Sequence, residues 1–297
     1  MSMILFAHSS ESVLGTPPRA CNLCGGRSAV LLQQAEEPYR VVRCEQCTLV
    51  YVDPLPGQRR LEEHYDESYY HEWISTQKEE REILWRNRLP EVLRHKKTGR
   101  LLDIGCGEGT FIKLAKEAGF EVFGTELSRY AGRRARELYE VPVFVGNVIE
   151  AGFPAEYFDV VTLYHVIEHV DDPRRYLSEA YRILKTDGLL IVACPNVESY
   201  VFNLAYRCFK RRPVHLFSQH DKEIHLYHFS SRTLSMLLER VGFTVISVGP
   251  DDFPVDLRKR VVEWLARGLY QVTERNWTMG LKLLAVKAPY GSVAGRI

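Results

Sequence analysis

The stretch Leu101-Leu102-Asp103-Ile104-Gly105-Cys106-Gly107-Glu108-Gly109-Thr110-Phe111 decides the fold. Its first four residues read as a buried strand. Three glycines at alternate positions then make a turn, and Thr110 opens a helix that Gly119 stops. Glycines in such a turn let a nucleoside-like ligand approach the backbone closely. At the end of the next apolar run, Glu121–Thr125, stands Glu126. A strand, a glycine turn, a helix, a second strand and a terminal carboxylate together make a ribose-binding unit.

Downstream, the same alternation continues. Ser128 caps a helix running to Leu138, Val143–Val145 is a third strand, and Tyr157–Leu163 a fourth. Pro173–Leu184 is helical, Asp187-Gly188 turns into a fifth strand, Leu189–Ala193, and Ser231–Arg240 forms a helix ended by Gly242. Phe243–Val248 and Leu281–Val286 are the last two strands. Strand–helix alternation predicts a Rossmann-like, doubly wound α/β fold with a seven-stranded, mostly parallel sheet. Ligands then sit beyond the carboxyl ends of the strands. Two stretches break the rhythm. Residues 197–228 combine aromatics with a basic run, Arg207, Lys210, Arg211 and Arg212; residues 251–277 contain an amphipathic helix over 254–275. Either could serve as a substrate lid, a subunit contact or a membrane-surface element.

Upstream, Cys21-Asn22-Leu23-Cys24 and Cys44-Glu45-Gln46-Cys47 repeat a C-x2-C spacing. Each pair can aim two thiolates at one point, and two pairs complete a tetrahedron around zinc. Four protein ligands leave no open position, so such a zinc is structural. Tyr39–Arg43 and Leu49–Val52 alternate like a small hairpin around the second pair. The expected organisation is a flexible tail over 1–18, a zinc-ribbon module over 19–55, a helical linker over 56–97, and the α/β domain over 98–297 with its two lid insertions. In the linker, Tyr69 and Tyr70 could cover a bound cofactor or simply dock the helix.

The net charge of +1, from 39 basic and 38 acidic residues, is a poor match to a chain that grips many phosphates. No apolar run approaches a membrane span, and Met3–Ala7 is too short and wrongly flanked for a signal peptide. The expectation is a cytoplasmic protein with no integral membrane segment, peripheral association remaining open. Nothing in the sequence sets the oligomeric state.

Asp103-Ile104-Gly105-Cys106-Gly107-Glu108-Gly109 resembles the first motif of class I S-adenosylmethionine-dependent methyltransferases, and the resemblance extends over about residues 95–250. It implies that Asp103, Gly105, Cys106, Gly107, Gly109, Glu126, Leu127, Asn147, Val148 and Tyr164 hold S-adenosylmethionine. Glu126 would accept from the ribose hydroxyls, and Asn147 would read the adenine edge or serve as a turn residue. The four-cysteine module ahead of such a core is similar to that of bacterial enzymes that methylate sugars, natural products or cell-envelope intermediates. Those enzymes are longer and carry a further C-terminal domain.

Acceptor chemistry is expected from Tyr164-His165-Val166-Ile167-Glu168-His169, read as helical, and from His225-Leu226-Tyr227-His228. An imidazole takes a proton near neutral pH, as a hydroxyl acceptor requires. His165, His169, His225, His228 and Tyr227 are therefore the catalytic candidates, with O-methylation of a small molecule as the expected reaction. Three alternatives remain. His165-x-x-Glu168-His169 resembles the E-x-x-E-H motif of ubiquinone-pathway and small-RNA O-methyltransferases, which implies a second divalent metal, with His165 in place of the first glutamate. An RNA methyltransferase could read RNA through the ribbon, although the stretch from Cys21 to Cys47 contains just Arg27, Arg40 and Arg43 as basic residues. A non-enzymatic protein could keep the cofactor as structure.

Overall fold

A computed structural model describes residues 17–57, 82–211, 213–251 and 257–288. The tail over 1–16, and Tyr69 and Tyr70 with most of the linker, lie outside the described residues.

The main sheet has seven strands. They are β4 (Gly99–Ile104), β5 (Phe120–Glu126), β6 (Val143–Val145), β7 (Phe158–Tyr164), β8 (Leu184–Pro195), β10 (Phe243–Pro250) and β11 (Gly280–Lys287), in the order β10-β11-β8-β7-β4-β5-β6. All neighbours are parallel except β11, which runs antiparallel to both β8 and β10. This is the doubly wound sheet that the strand–helix alternation predicts. The four central strands are buried on both faces and correspondingly aliphatic: β4 supplies Leu101, Leu102 and Ile104, and β8 supplies Leu189–Ala193.

Helices cover both faces. Residues 82–95 form α1. α2 (Thr110–Glu117) begins at Gly109, whose φ of 85° is left-handed. α3 (Arg129–Tyr139) is capped by Ser128 and α4 (Pro173–Ile183) by Asp172 with proline at its first turn. α6 (Ser231–Val241) has a reciprocal Ser230–Thr233 capping box and ends on left-handed Gly242. One apolar cluster, with Val92, Phe111, Ile112 and Ala135, fills the α1–α2–α3 face, and a second fills the α4–α6 face. α5 (Tyr200–Lys210) and α7 (Leu257–Thr273) pack against each other outside these layers.

The N-terminal segment folds as β1 (Ala29–Gln34), β2 (Arg40–Cys44) and β3 (Val50–Asp53), all antiparallel. The sheet is completed by β9 (Tyr227–His228), which comes from the far end of the chain. Cys21, Leu23, Tyr51, Phe217, Leu226, Leu177 and Leu237 belong to one continuous core. The cysteine module is thus fused to the α4–α6 face rather than tethered to it. Its hairpin was legible in alternation; the closing strand, two residues long and about 175 positions away, has no local signal.

Candidate active site

Sheet order places three loops side by side at the carboxyl edge. The glycine turn follows β4, Glu126 ends β5 on one side, and the turn 165–170 follows β7 on the other. At about 4.8 Å per strand, the ends of β5 and β7 stand roughly 10 Å apart across the glycine turn.

The glycine turn is tight for reasons visible in its packing. Gly105 has φ 72°, and a Cβ there would come within 2.3 Å of Val166 Cγ2. Any side chain would therefore push the turn away from the β7 loop. Cys106 is buried against Gly124 and fills space, with its thiol pKa raised well above normal by burial. Gly107 N–H donates to Glu126 Oε2 at 2.8 Å and Ser128 N–H to Glu126 Oε1 at 2.9 Å. These amides fix a buried carboxylate directly beside the turn. Asp103 lies underneath, buried, accepting from Thr162 Oγ1 at 2.6 Å, its pKa pushed up by burial to about 7.

Other predicted cofactor residues take different places. Leu127 is half-buried beside Glu126. Asn147 uses its carboxamide oxygen to accept from the Ile149 and Glu150 amides, so it stabilises its own turn. Val148 is buried in the α4–α6 core. Tyr164 is buried and stacked edge-on against Trp85 and Phe111, with the Arg88 guanidinium 4.4 Å from its ring centre.

Residues 165–169 form a tight turn rather than the expected helix, with His169 N–H donating to Val166 O. His165 has φ 58°, a left-handed conformation costing on the order of 1–3 kcal/mol that the β7 loop imposes. The turn nevertheless gathers its polar groups. Glu168 is 1% exposed, and neither carboxylate oxygen has a hydrogen-bond partner among the described residues. His165 Nδ1 lies 3.5 Å and His169 Nε2 3.8 Å from Glu168 Oε1. His225 stacks on His169 at 4.8 Å between ring centres, and His228 stands 6.2 Å from His225. Ligand atoms of Glu168, His169 and His225 all lie within 4.8 Å of one another.

Proton affinities in this cluster spread widely. Burial pulls His228 down to about 3, with His225 repulsion adding to it. His169 is also lowered, chiefly by burial. Its Nδ1 donates to Ile224 O at 2.8 Å, which puts the lone pair on Nε2, toward Glu168. His165 moves the other way. Burial opposes the charge, but Asp251 and Glu168 outweigh burial and raise it to about 9. For Glu168, burial favours the neutral form; the adjacent His165 and the other imidazoles overcome it and hold the acid below its normal value.

Tyr227 does not join this group. Alternation along β9 turns it to the opposite face from His228, where its hydroxyl donates to Asp171 O at 2.9 Å and its ring stacks on Phe229. Tyr227 is a strut between module and domain, and the catalytic expectation for it is corrected accordingly.

Sequence reasoning missed Arg88 and Asp251. They form a buried ion pair beside His165, joining α1 to the end of β10; Arg88 Nη2 lies 3.0 Å from His165 Nε2. Trp85 and Arg88, three apart on α1, carried a faint helical signal; Asp251, in a loop, carried none. A pocket of about 440 Å3 opens beyond the carboxyl ends of β8 and β10, lined by Glu198, Tyr200, Arg232, Tyr270, Arg275 and Trp277 among others.

At the module, Cys21 and Cys47 Sγ are 3.5 Å apart, as are Cys24 and Cys44, and all four lie within 4.8 Å of one another. A tetrahedron with Zn–S bonds of ~2.3 Å has S···S edges of about 3.8 Å. The Cys47 hydrogen bond holds the Cys21 thiol down to about 5, and Cys47 is pushed up in return. Thiols this close share protons, and a cation would resolve the repulsion between their thiolate forms.

A family model described as "Methyltransferase domain" matches residues 76–248, more than half of the chain. The chain belongs to the methyltransferase-domain family. It is 28% identical over 194 residues to a Mycolicibacterium smegmatis protein named "Probable S-adenosylmethionine-dependent methyltransferase", covering 65% of this chain and 66% of that one. It is 33% identical over 141 residues to the demethylmenaquinone methyltransferase of Listeria welshimeri, covering 42% and 59%. The chain thus spans less than two thirds of either relative. A solved Archaeoglobus fulgidus SAM-dependent methyltransferase superposes with a TM-score of 0.52 at 23% identity over 72% of this chain and 99% of that one, a likeness of fold. The family match spans the glycine turn, Glu126 and the Glu168–His169–His225–His228 cluster, but not the cysteine module.

Proposed function

We propose that this protein is an S-adenosylmethionine-dependent methyltransferase that O-methylates a small hydroxylated acceptor, a sugar, specialised metabolite or cell-envelope intermediate. The observation that carries this reading is the juxtaposition across the carboxyl edge. Glu126, pinned by two amides, stands on one side of the glycine turn, and a buried carboxylate–imidazole cluster stands on the other. The turn and Glu126 would hold the nucleoside. When bound, the cofactor supplies a methyl group that is already activated. The chain must add alignment and a proton acceptor. His169 suits the second task, because Ile224 fixes its tautomer and burial keeps it neutral. The acceptor hydroxyl proton then passes to His169 Nε2, and Glu168 stabilises the resulting imidazolium. The aromatic pocket beside β8 would receive the distal part of the acceptor. The four cysteines would hold a structural zinc ion away from this chemistry.

A second reading is favoured by the two buried oxygens of Glu168, neither hydrogen-bonded among the described residues: with His169 and His225, they could hold a divalent metal next to the acceptor oxygen. One carboxylate and two imidazoles suit a borderline metal better than magnesium.

Calorimetry with S-adenosylmethionine and its demethylated product tests the shared part. The full chain should bind both, and Glu126→Ala should weaken binding about 100-fold, the loss of roughly two charge-assisted hydrogen bonds. No binding by the full chain would remove the whole reading.

A further inference from the structure

Eleven large hydrophobic side chains are exposed among the described residues, and seven of them lie on α5 and α7. On α7, Val261, Trp264, Leu265, Leu269 and Val272 follow one another at helical spacing along the outer stripe, while Glu263, Ala266 and Tyr270 face inward. Trp264 is 72% and Val272 84% exposed. On α5 no residue is buried, and Leu204 and Phe209 point outward. Just four large hydrophobic side chains are exposed elsewhere among the described residues, so the concentration on these two packed helices stands out.

Charge on the same two segments is sorted. In sequence, residues 200–212 and 257–273 contain eight basic residues, Arg207, Lys210, Arg211, Arg212, Arg258, Lys259, Arg260 and Arg267, of which Arg212 and the side chains of Arg258, Lys259 and Arg260 lie outside the described residues. They contain one acidic residue, Glu263, which is turned inward and bonded to Arg267 and the Met279 amide. The whole chain has a net charge of +1, so the remainder is net negative. Arg207, Lys210 and Arg211 are exposed next to Phe209.

An apolar stripe on one helix, with the exposed cations Arg207, Lys210 and Arg211 on the helix packed against it, has one natural counterpart, an anionic bilayer surface. The apolar groups enter the acyl boundary and the cations meet headgroup phosphates. RNA would match the cations but leave the Trp264–Val272 stripe in water. A second copy of the helices would match the stripe but oppose like charges. We infer that α5 and α7 form a peripheral docking surface for membranes rich in anionic lipid. No helix among the described residues is long and apolar enough to cross a membrane, so the contact is interfacial. The pocket beyond β8 and β10 takes Tyr200 from the start of α5 and Tyr270 from the last turn of α7, so docking of these helices would bring it near the bilayer. The inference does not depend on which acceptor is methylated.

Vesicle co-sedimentation of the full chain tests it, using phosphatidylcholine with about one third phosphatidylglycerol against phosphatidylcholine alone. The expected result is binding to the anionic vesicles that weakens with salt, with a blue-shifted emission component absent from Trp264→Phe. Lys210→Glu with Arg211→Glu should weaken binding about thirtyfold or more, and Trp264→Ser with Leu269→Ser about tenfold. All these positions are exposed, so melting temperature and cofactor binding should stay at wild-type values. Equal binding to both vesicle types, no binding to either, or a salt-resistant dimer abolished by Trp264→Ser would overturn the proposal. So would capture of an RNA oligonucleotide in preference to anionic vesicles.

Discussion

Two clusters of side chains that could hold a metal ion invite comparison. The first, Cys21, Cys24, Cys44 and Cys47, is chemically uniform, its sulfurs all within 4.8 Å of one another. The second, around Glu168, mixes one carboxylate with imidazoles and holds proton affinities from about 3 at His228 to about 9 at His165. Four thiolates around one metal would leave no open position for a reactant. A mixed cluster with divergent proton affinities can give and take protons. The contrast separates a part that holds the fold from a part suited to chemistry.

The sharpest way to break that contrast is at the cysteines. Cys44→Ser should remove the one equivalent of zinc expected in the full chain by elemental analysis. Because Cys44 shares a core with Leu177, Leu237 and Phe217, the damage should spread into the domain. A loss of about 4 kcal/mol would lower the melting temperature by roughly 10 °C. A zinc-free variant that melts with the wild type would show that the cluster is not a fold element.

The second cluster should respond in rate rather than stability. His169→Ala should slow turnover about 100- to 10,000-fold while leaving cofactor affinity within twofold. Glu168→Gln distinguishes the two proposed chemistries. As partner of a general base it should slow turnover and leave the metal content at one zinc. As a metal ligand it should abolish a second equivalent of metal, and activity should return on adding the divalent ion back. Full activity in chelator, with zinc retained in the module, would exclude the metal-assisted reading.

The same contrast explains what the sequence could show. Both cysteine pairs and the glycine turn are local: their spacing alone dictates a shape, because a C-x2-C loop or an alternate-glycine turn has few solutions. The seven strands were legible because buried parallel strands must be aliphatic and must alternate with helices. The Glu168 cluster is non-local. Its residues come from a turn after β7 and from a segment before α6, more than fifty positions later, and no periodicity links them. Reading 165–169 as helix failed because three polar residues at i, i+3 and i+4 fit a helix as well as a tight turn; the left-handed His165 decides it. Arg88 and Asp251 were invisible for the same reason, since a buried ion pair between α1 and a loop after β10 leaves no trace in either segment alone.

Stability against pH sharpens the comparison at intermediate magnitude. The folded pKa of His228 is depressed to about 3 from about 6.5, so the folded state binds fewer protons than the unfolded chain. Its contribution is complete above pH 6.5 and is lost as pH falls through that value toward 3, by at most about 1.4 kcal/mol per pH unit. His165, raised to about 9, acts in the opposite sense: its contribution is complete below pH 6.5 and is lost as pH rises through 9. Melting curves of His228→Asn between pH 5 and 7 should be flatter than those of the parent chain. An unchanged slope would mean that His228 is solvated and outside the cluster.

Tyr227 offers the smallest and most specific test, because it sits one residue from His228 yet belongs to the other region. Its hydroxyl donates to Asp171 O and accepts from Arg19 Nη2 at 3.2 Å, tying β9 to the loop before α4 and to the N-terminal segment. Tyr227→Phe keeps the ring and its stacking on Phe229 and removes those bonds alone. The expected cost is about 1 kcal/mol, or roughly 2–4 °C in melting temperature, with turnover within twofold of the parent. Turnover slowed about 100-fold at unchanged melting temperature would move Tyr227 back into the reactive cluster. It would also mean that β9 is not a regular strand, since one strand cannot send two successive side chains to the same face.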